Sequence, residues 1–473
     1  MEYLLKLGNL FKKLYVPELM IKEKDKLGEI PDTRSVYSEL FRIAWPAVIE
    51  SLLVGLVGFI DTIMVSDVRY GIAATGLTGQ PRMVFYAVFF AINIAVTAIV
   101  SRRKGQGDRE GARKTLSQSV SLILILGVIM VGTALLVAEP LMIFAGANED
   151  TIIDSTNYFR ITMVGLLFTS IGMTINAAQR GVGNTKIAMR TNMVANLVNV
   201  VFNYMLISGN FGFPAWGVTG AAVATLLANI TSCTLSVLSL VKPDSFLHIK
   251  FNELFKFSSL VMKTITRISV SAGVEQIFMR VGFFAYTKMV AELGTNSFEA
   301  HQICMTIISM SFVFGDGLGI AASSLVGQNL GKKRKDLATI FGKASQRVGI
   351  VFSVGLITLF VFGGEMLMRL FTDDPEIISI GIIILYIIAA SSPAQISQVI
   401  YSGCLRGAGD TKYVAATSLI SIAIIRPIIT YILCYPLGIG VIGAWISLIV
   451  DQYTRLLLSA TRFSGDKWCR IKV

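Results

Sequence analysis

The sequence holds 473 residues, of which 53% are hydrophobic and 15% charged, with a mean hydropathy of +0.67. Soluble domains carry about 25% charged residues, so a soluble globular chain is excluded, and the lack of alternating strand-like runs argues against a membrane β-barrel. The net charge of +12 would suit nucleic acid, but its distribution along the chain assigns it to membrane orientation instead.

In chain order, residues 1–38 come first and lack the uninterrupted apolar core of a cleavable leader. Leu4, Leu7, Phe11 and Leu14 share a helical face opposite lysines, which fits a segment lying on the cytoplasmic membrane surface or a plain solvated tail. Twelve apolar runs follow: 39–66, 73–100, 117–139, 156–179, 187–208, 216–241, 266–291, 297–326, 345–371, 377–404, 413–435 and 437–461. Each is long enough to cross a bilayer as a helix. With the N-terminus inside, 35 of the 42 lysines and arginines lie in or beside inside segments, while two, Arg69 and Arg369, lie in outside loops. That bias follows the positive-inside rule. It predicts an all-α, multi-pass membrane protein of twelve spans with both termini cytoplasmic.

The chain also repeats itself. "RGVGNTK" at 180–186 returns as "RGAGDTK" at 406–412, and "VSRRKGQGDREGA" at 100–112 faces "VGQNLGKKRKDLA" at 326–338, both 226 residues apart. "GFIDTIMV" at 58–65 echoes "GFFAYTKMV" at 282–290, and "GVTGAAVA" at 217–224 loosely echoes "GVIGAWIS" at 440–447. Two homologous six-helix bundles result, 39–241 and 266–462, related by a pseudo-two-fold axis along the membrane normal. A cytoplasmic linker, 242–265, joins them, and residues 463–473 form a tail. "RGxGxTK" is then the inner turn between the fourth and fifth helices of each half, with glycines for a tight turn.

Several polar residues interrupt the spans. Asp61 lies about 28 Å along its helix from Arg42, in the outer half, where an ionised carboxylate is costly and usually has a task. Asn192, Asn196, Asn199 and Asn203 are spaced 4, 3 and 4, lining one helical face with amides. Asn192 and Asn196 read as interhelical glue. Thr225 lies about 13 Å in from the outer end of its span. Coarse depth therefore lets Asp61, Asn199, Asn203 and Thr225 meet as hard oxygen ligands suited to Na⁺, or as a desolvated carboxyl able to carry H⁺. The position aligned with Asp61 in the second half is Tyr286. That half has its own acids, Glu275 about 12 Å in from Arg267 and Asp316 at similar depth. Arg280 and Arg426 lie mid-span and are expected to pair internally with Glu275 or Asp316, or else to contact an anion. If they stood unpaired in a cavity, cationic substrates would be disfavoured.

Five cysteines, at 233, 304, 404, 434 and 469, and two histidines, His248 and His301, form no metal-ligand or CxxC spacing. No "GxxxxGK[ST]" loop occurs, which excludes a nucleotide-driven pump within this chain. No nucleophile–base pair sits in the spans, so an enzyme and a bound cofactor are not expected.

"WPAVIE", "FIDTIMV", "VEQIF", "AHQI", "AASSLVGQNLG" and "LRGAGDTK", in this order over residues 39–460, resemble the multidrug and toxic compound extrusion (MATE) family. The resemblance implies a V-shaped pair of helical bundles around a central cavity. It implies a plasma-membrane secondary antiporter that exports organic, lipophilic and cationic compounds in exchange for Na⁺ or H⁺ by alternating access. It places Asp61 in a first-lobe cation site, with Asn199 and Asn203 matching a family polar pair. It makes Pro46 the first-helix proline where bending is thought to matter, or else a static kink. Glu275 matches a family glutamate implicated in ion or substrate binding. Gln395 stands where some members carry an acid, which puts a second-lobe cation site in doubt and leaves Gln395 as a substrate hydrogen-bonding candidate. The partners implied are a small-molecule substrate and membrane lipid, without nucleic acid, around a monomer. The alternatives are a flippase for lipid-linked sugars or an exporter of an anionic metabolite.

Overall fold

The computed structural model describes residues 14–66, 68–241, 246–248 and 253–471. Among the described residues twelve long helices follow in sequence. They are α1 (Thr33–Ser66), α2 (Gly79–Gln106), α3 (Arg109–Leu136), α4 (Ile152–Gly181), α5 (Thr185–Ser208), α6 (Gly217–Leu238), α7 (Ser259–Ala291), α8 (Thr295–Gly331), α9 (Lys335–Phe362), α10 (Pro375–Gly407), α11 (Thr411–Cys434) and α12 (Val441–Ser464). Each overlaps one of the apolar runs. Eleven are long and apolar enough to cross a membrane. The exception is α5, 24 residues long, whose four asparagines dilute its apolar run. On the inner side α8 and α9 continue well into the loop expected at 327–344, because Lys and Arg favour helix once the chain leaves hydrocarbon.

The chain divides into two compact units, 49–269 and 1–48 with 270–473. In the first, α4 packs against α6, α2 and α3, and α5 packs against α6. In the second, α8, α9 and α12 pack around α10. The start of α1 belongs to the second unit rather than with the first-half helices, unlike the boundary expected at residue 39. The physical reason is burial. Val36, Leu40, Ile43 and Ala44 join the core of the second unit, which draws on α7 to α12, and α8 carries Gly317 where a Cβ would lie 2.9 Å from the Val48 amide nitrogen. Ahead of α1 the backbone is strapped to the same unit. Lys343 Nζ donates to Met20 O at 2.7 Å, Leu27 N to Asp336 Oδ2 at 3.0 Å, and Arg334 Nη2 to Glu29 O at 2.8 Å. Residues 14–32 are thus docked rather than a free tail. Leu4, Leu7 and Phe11 of the amphipathic face lie outside the described residues, as does Pro243 of the linker.

The repeat is visible in backbone geometry. Gly183 and Gly409 adopt φ of 85° and 86°, in the left-handed region open to glycine. Asn184 N bonds Gln179 O at 2.8 Å, and 226 residues on Asp410 N bonds Leu405 O at 2.8 Å. This is the pairing that closes a helix at a left-handed cap. Gly181 and Gly407, also 226 apart, let α4 and α10 touch their neighbours' backbones: a Cβ would lie 3.0 Å from Thr97 O and 2.2 Å from Ser323 O. One departure breaks the register. Leu419–Ile425 within α11 is π-helical, whereas α5 is regular throughout. A π segment accommodates one extra residue, and its effect is measurable. Trp216 N donates to Leu206 O at 2.9 Å, and in the second half Ile439 N donates to Leu433 O at 2.9 Å. Leu206 and Leu433 are 227 apart rather than 226.

Candidate functional site

Within the first unit, α1, α5 and α6 bring Asp61, Asn199, Asn203 and Thr225 together. Asn203 Nδ2 donates to Asp61 Oδ1 at 2.6 Å and to Asn199 Oδ1 at 3.3 Å. Asn199 Nδ2 donates to Thr225 Oγ1 at 3.4 Å. With the Asn199 amide turned over, its nitrogen donates instead to Asp61 Oδ1 at 2.7 Å. The 4-residue spacing of Asn199 and Asn203 puts both on one side of α5. Both are buried, at 4% and 1% exposure, while Asp61 is half-buried. Asn203 Oδ1 is buried without a partner, an acceptor left over beside a carboxylate.

The chemistry of this set is specific. Amide nitrogens aimed at Asp61 satisfy the ionised carboxylate. Each amide carries an oxygen on its other end, so rotation of Asn199 or Asn203 converts a ring of donors into a ring of acceptors. The first arrangement suits an anionic Asp61. The second, with Thr225 Oγ1, suits a hard cation.

A second acid stands on α1 that sequence reasoning passed over. Glu50, 8% exposed, accepts from Arg180 Nη1 at 3.0 Å and from Asn192 Nδ2 at 2.6 Å. Ser232 Oγ extends the chain to Asn192 Oδ1 at 3.3 Å. The second unit repeats it: Glu275, 1% exposed, accepts from Arg406 Nη2 and, at 3.4 Å, from Ser418 Oγ. Arg180 and Arg406 are 226 apart, as are Asn192 and Ser418, and Glu50 and Glu275 are 225 apart. Each "RGxGxTK" arginine therefore locks a buried glutamate on the first helix of its own half. Asn192 acts as the interhelical link expected of it. Asn196 Nδ2 is buried without a hydrogen bond.

The second-half candidates do not all assemble into one site. Arg426, 1% exposed, pairs with Asp451 of α12, not with Glu275 or Asp316. Arg455 Nη2 also pairs with Asp451, at 3.1 Å, and Ser421 of the π segment donates to the same carboxylate. Asp451 and Arg455 sit four residues apart, one helical turn on one face, and that spacing was the available signal. Arg280 is exposed on α7 and forms no ion pair among the described residues, so internal pairing fails for it. Asp316 is exposed on α8 and lies within electrostatic reach of Arg406, the partner of Glu275. Gln395 is fully buried, and neither end of its amide has a partner. Pro46 is buried, and α1 runs through it as one helix two residues before the division at Val48.

The MatE family model matches residues 46–205 and 272–432, one stretch in each half. A probable multidrug resistance protein NorM of Thermotoga maritima is 29% identical over 444 residues, 93% of this chain and 94% of its own length. The uncharacterized transporter YisQ of Bacillus subtilis is 25% identical over 431 residues, 91% of this chain and 94% of its own. Among solved structures, the outward-facing conformation of a multidrug resistance MATE family transporter of the MOP superfamily superposes with a TM-score of 0.84 at 22% identity. That match covers 90% of this chain and 95% of the other, and it establishes the two-lobe helical fold.

Proposed function

Since this chain belongs to the MATE family of multi-pass membrane transporters, we propose that it is a secondary antiporter. It exports organic, cationic and lipophilic compounds while Na⁺ or H⁺ enters. Its place is the plasma membrane, with both termini cytoplasmic, the orientation supported by the excess of lysine and arginine on one side. The names of its multidrug-resistance relatives support export of varied compounds. The single observation that carries the coupling is the bond from Asn203 Nδ2 to Asp61 Oδ1 at 2.6 Å.

Asp61 holds the reaction coordinate. While anionic, it is stabilised by Asn203 and by the turned-over Asn199. Closing apolar helices over that charge is unfavourable. Loading with H⁺ on a carboxyl oxygen, or with Na⁺ held by Asp61 and rotated amide oxygens, neutralises the site and removes that penalty. The loaded and unloaded states then prefer different lobe conformations, which is the differential interaction alternating access requires. A membrane potential of ~100 mV contributes roughly 2.3 kcal/mol per charge moved, enough for substantial accumulation without nucleotide hydrolysis.

Transport into inside-out vesicles tests this reading under separately imposed gradients. A sodium gradient at fixed pH, or a pH gradient without sodium, should drive uptake of a lipophilic cation such as ethidium. Uptake indifferent to both gradients rejects the antiport reading.

A further inference from the structure

We propose that the second lobe holds a buried binding site for a small monovalent anion, chloride or another halide, centred on Arg426 and Tyr286. The site is the repeat counterpart of the Asp61 group with its polarity reversed, and it stands on the repeat and on local chemistry, not on the coupling reading.

The register comes from paired backbone contacts. On the first helix of each half the offset is 225, set by the matching glutamates Glu50 and Glu275, which places Tyr286 at the position of Asp61. Beyond the π segment the offset is 227, set by the matching bonds to Leu206 O and Leu433 O. Arg426 then takes the place of Asn199, and Thr430 that of Asn203. A carboxylate and two amides in one lobe are thus answered by a phenol, a guanidinium and a hydroxyl in the other. The first set supplies acceptor oxygens. The second supplies hydrogen-bond donors.

The Thr430 hydroxyl is committed to Arg426 O at 2.8 Å and to Ser447 Oγ at 2.7 Å, but the phenol and part of the guanidinium are unused. Arg426 is 1% exposed and Tyr286 is 0% exposed. Arg426 spends Nη2 on Asp451, while its Nε and Nη1 have no partner, and neither does the Tyr286 hydroxyl. The Arg426 guanidinium carbon lies 5.4 Å from the Tyr286 ring centre. The patch continues through rings spaced 5.5 Å apart, from Tyr286 to His301 and from His301 to Trp445. His301 Nδ1 and Trp445 Nε1 are also buried without partners. Buried polar groups in native proteins are overwhelmingly paired, and these neighbouring side chains have hydrogen-bonding capacity free for a partner. Charge decides which. Arg426 and Arg455 share one carboxylate, Asp451, while Glu275 is held by Arg406 and lies within electrostatic reach of Arg455. A donor-rich pocket whose nearest acid is shared between two arginines suits an anion. Because Arg426, Tyr286, His301 and Trp445 are each at most 2% exposed, the occupant is small, of halide size rather than a drug or a lipid headgroup. The π segment places Arg426 here: without its extra residue Ile425 would stand opposite Tyr286.

The test uses the full-length protein in detergent. Melting temperature is measured in sodium chloride and in sodium gluconate at equal ionic strength and pH, and crystals soaked in sodium bromide are examined for anomalous scattering. The expected result is a saturable rise in melting temperature with chloride and a bromide peak in contact with Arg426 Nη1 and Tyr286 Oη. Tyr286→Phe keeps the ring and deletes one donor. It should weaken the apparent chloride affinity by roughly tenfold, the equivalent of one hydrogen bond to a charged group, without changing the melting temperature in gluconate by a comparable amount. Arg426→Lys keeps the charge but loses the fork and should abolish the chloride effect. Should that variant fail to fold, the bromide map and Tyr286→Phe decide alone. Ordered water in place of bromide, or a chloride effect identical in wild type and Tyr286→Phe, overturns the proposal.

Discussion

Replacing Arg406 with Gln is the perturbation that most directly probes how each half is locked. The structure gives Glu275 two partners, the Arg406 guanidinium and the Ser418 hydroxyl at 3.4 Å, and leaves the residue 1% exposed. Without Arg406 a buried carboxylate is left with one long hydroxyl contact. Breaking a buried ion pair in this way costs about 3–5 kcal/mol. The equivalent change in the first half, Arg180→Gln, is milder because Glu50 keeps the Asn192 amide at 2.6 Å. Its cost is the loss of one charged hydrogen bond, about 1.5–3 kcal/mol. For a lobe of this size the larger loss lowers the melting temperature by on the order of 10 °C. The assay is thermal unfolding of each variant in the same detergent, with Glu275→Gln added to Arg406→Gln as a rescue. Removing the uncompensated charge should recover most of the stability. An Arg406→Gln protein melting within about 2 °C of wild type, or losing less than Arg180→Gln, would refute the reasoning.

Three further outcomes are expected. Asn203→Ala deprives Asp61 of its 2.6 Å donor, so the concentration of coupling ion giving half-maximal transport should shift by roughly tenfold or more; an unchanged value would remove Asn203 from the site. Lys333 holds φ of 61°, where its repeat counterpart is Gly107 at 72°, so Lys333→Gly should stabilise the protein by about 0.5–1 kcal/mol, read as a higher melting temperature. Asp32 caps the start of α1 by accepting from the Arg34 and Ser35 amides at 3.1 and 3.4 Å, and hydrogen bonding from Ser35 holds its carboxyl below the usual value. A depressed folded-state value means the cap is intact above the ordinary aspartate pKa of about 4 and is lost as pH falls through the lower folded value. Hydrogen exchange at Ser35 should accelerate over that range relative to Asp32→Asn, which keeps an uncharged cap.

The spans were legible because hydrocarbon imposes a length and a one-sided basic bias that composition records directly. The inner turns were legible because "RGxGxTK" writes the same left-handed glycine twice. Docking of residues 14–48 on the second unit was not, since the short run Leu19, Met20 and Ile21 and the lone Ile30 stand in a charged stretch and only the folded surface makes Met20 and Ile30 core. The meeting of Asp61 with Asn199, Asn203 and Thr225 was allowed by helical spacing and depth, and the family resemblance singled out Asp61, Asn199 and Asn203. The Glu50–Arg180 pair was not legible, although the repeat carries it: an offset of 226 pairs Arg180 with Arg406, and one of 225, a residue of slippage, pairs Glu50 with Glu275. Arg426 was assigned the wrong acids because depth along a helix does not report which face it presents. The π segment, one residue that slips the register, turns Arg426 towards Asp451.

The central claim is that loading of Asp61 drives the exchange. Its most direct measurement compares wild type with Asp61→Asn in reconstituted vesicles, following substrate uptake under an imposed ion gradient and substrate binding without one. The account predicts that Asp61→Asn still binds substrate yet accumulates none, with uptake no longer responding to the gradient. Gradient-driven accumulation by Asp61→Asn at the wild-type rate would contradict it.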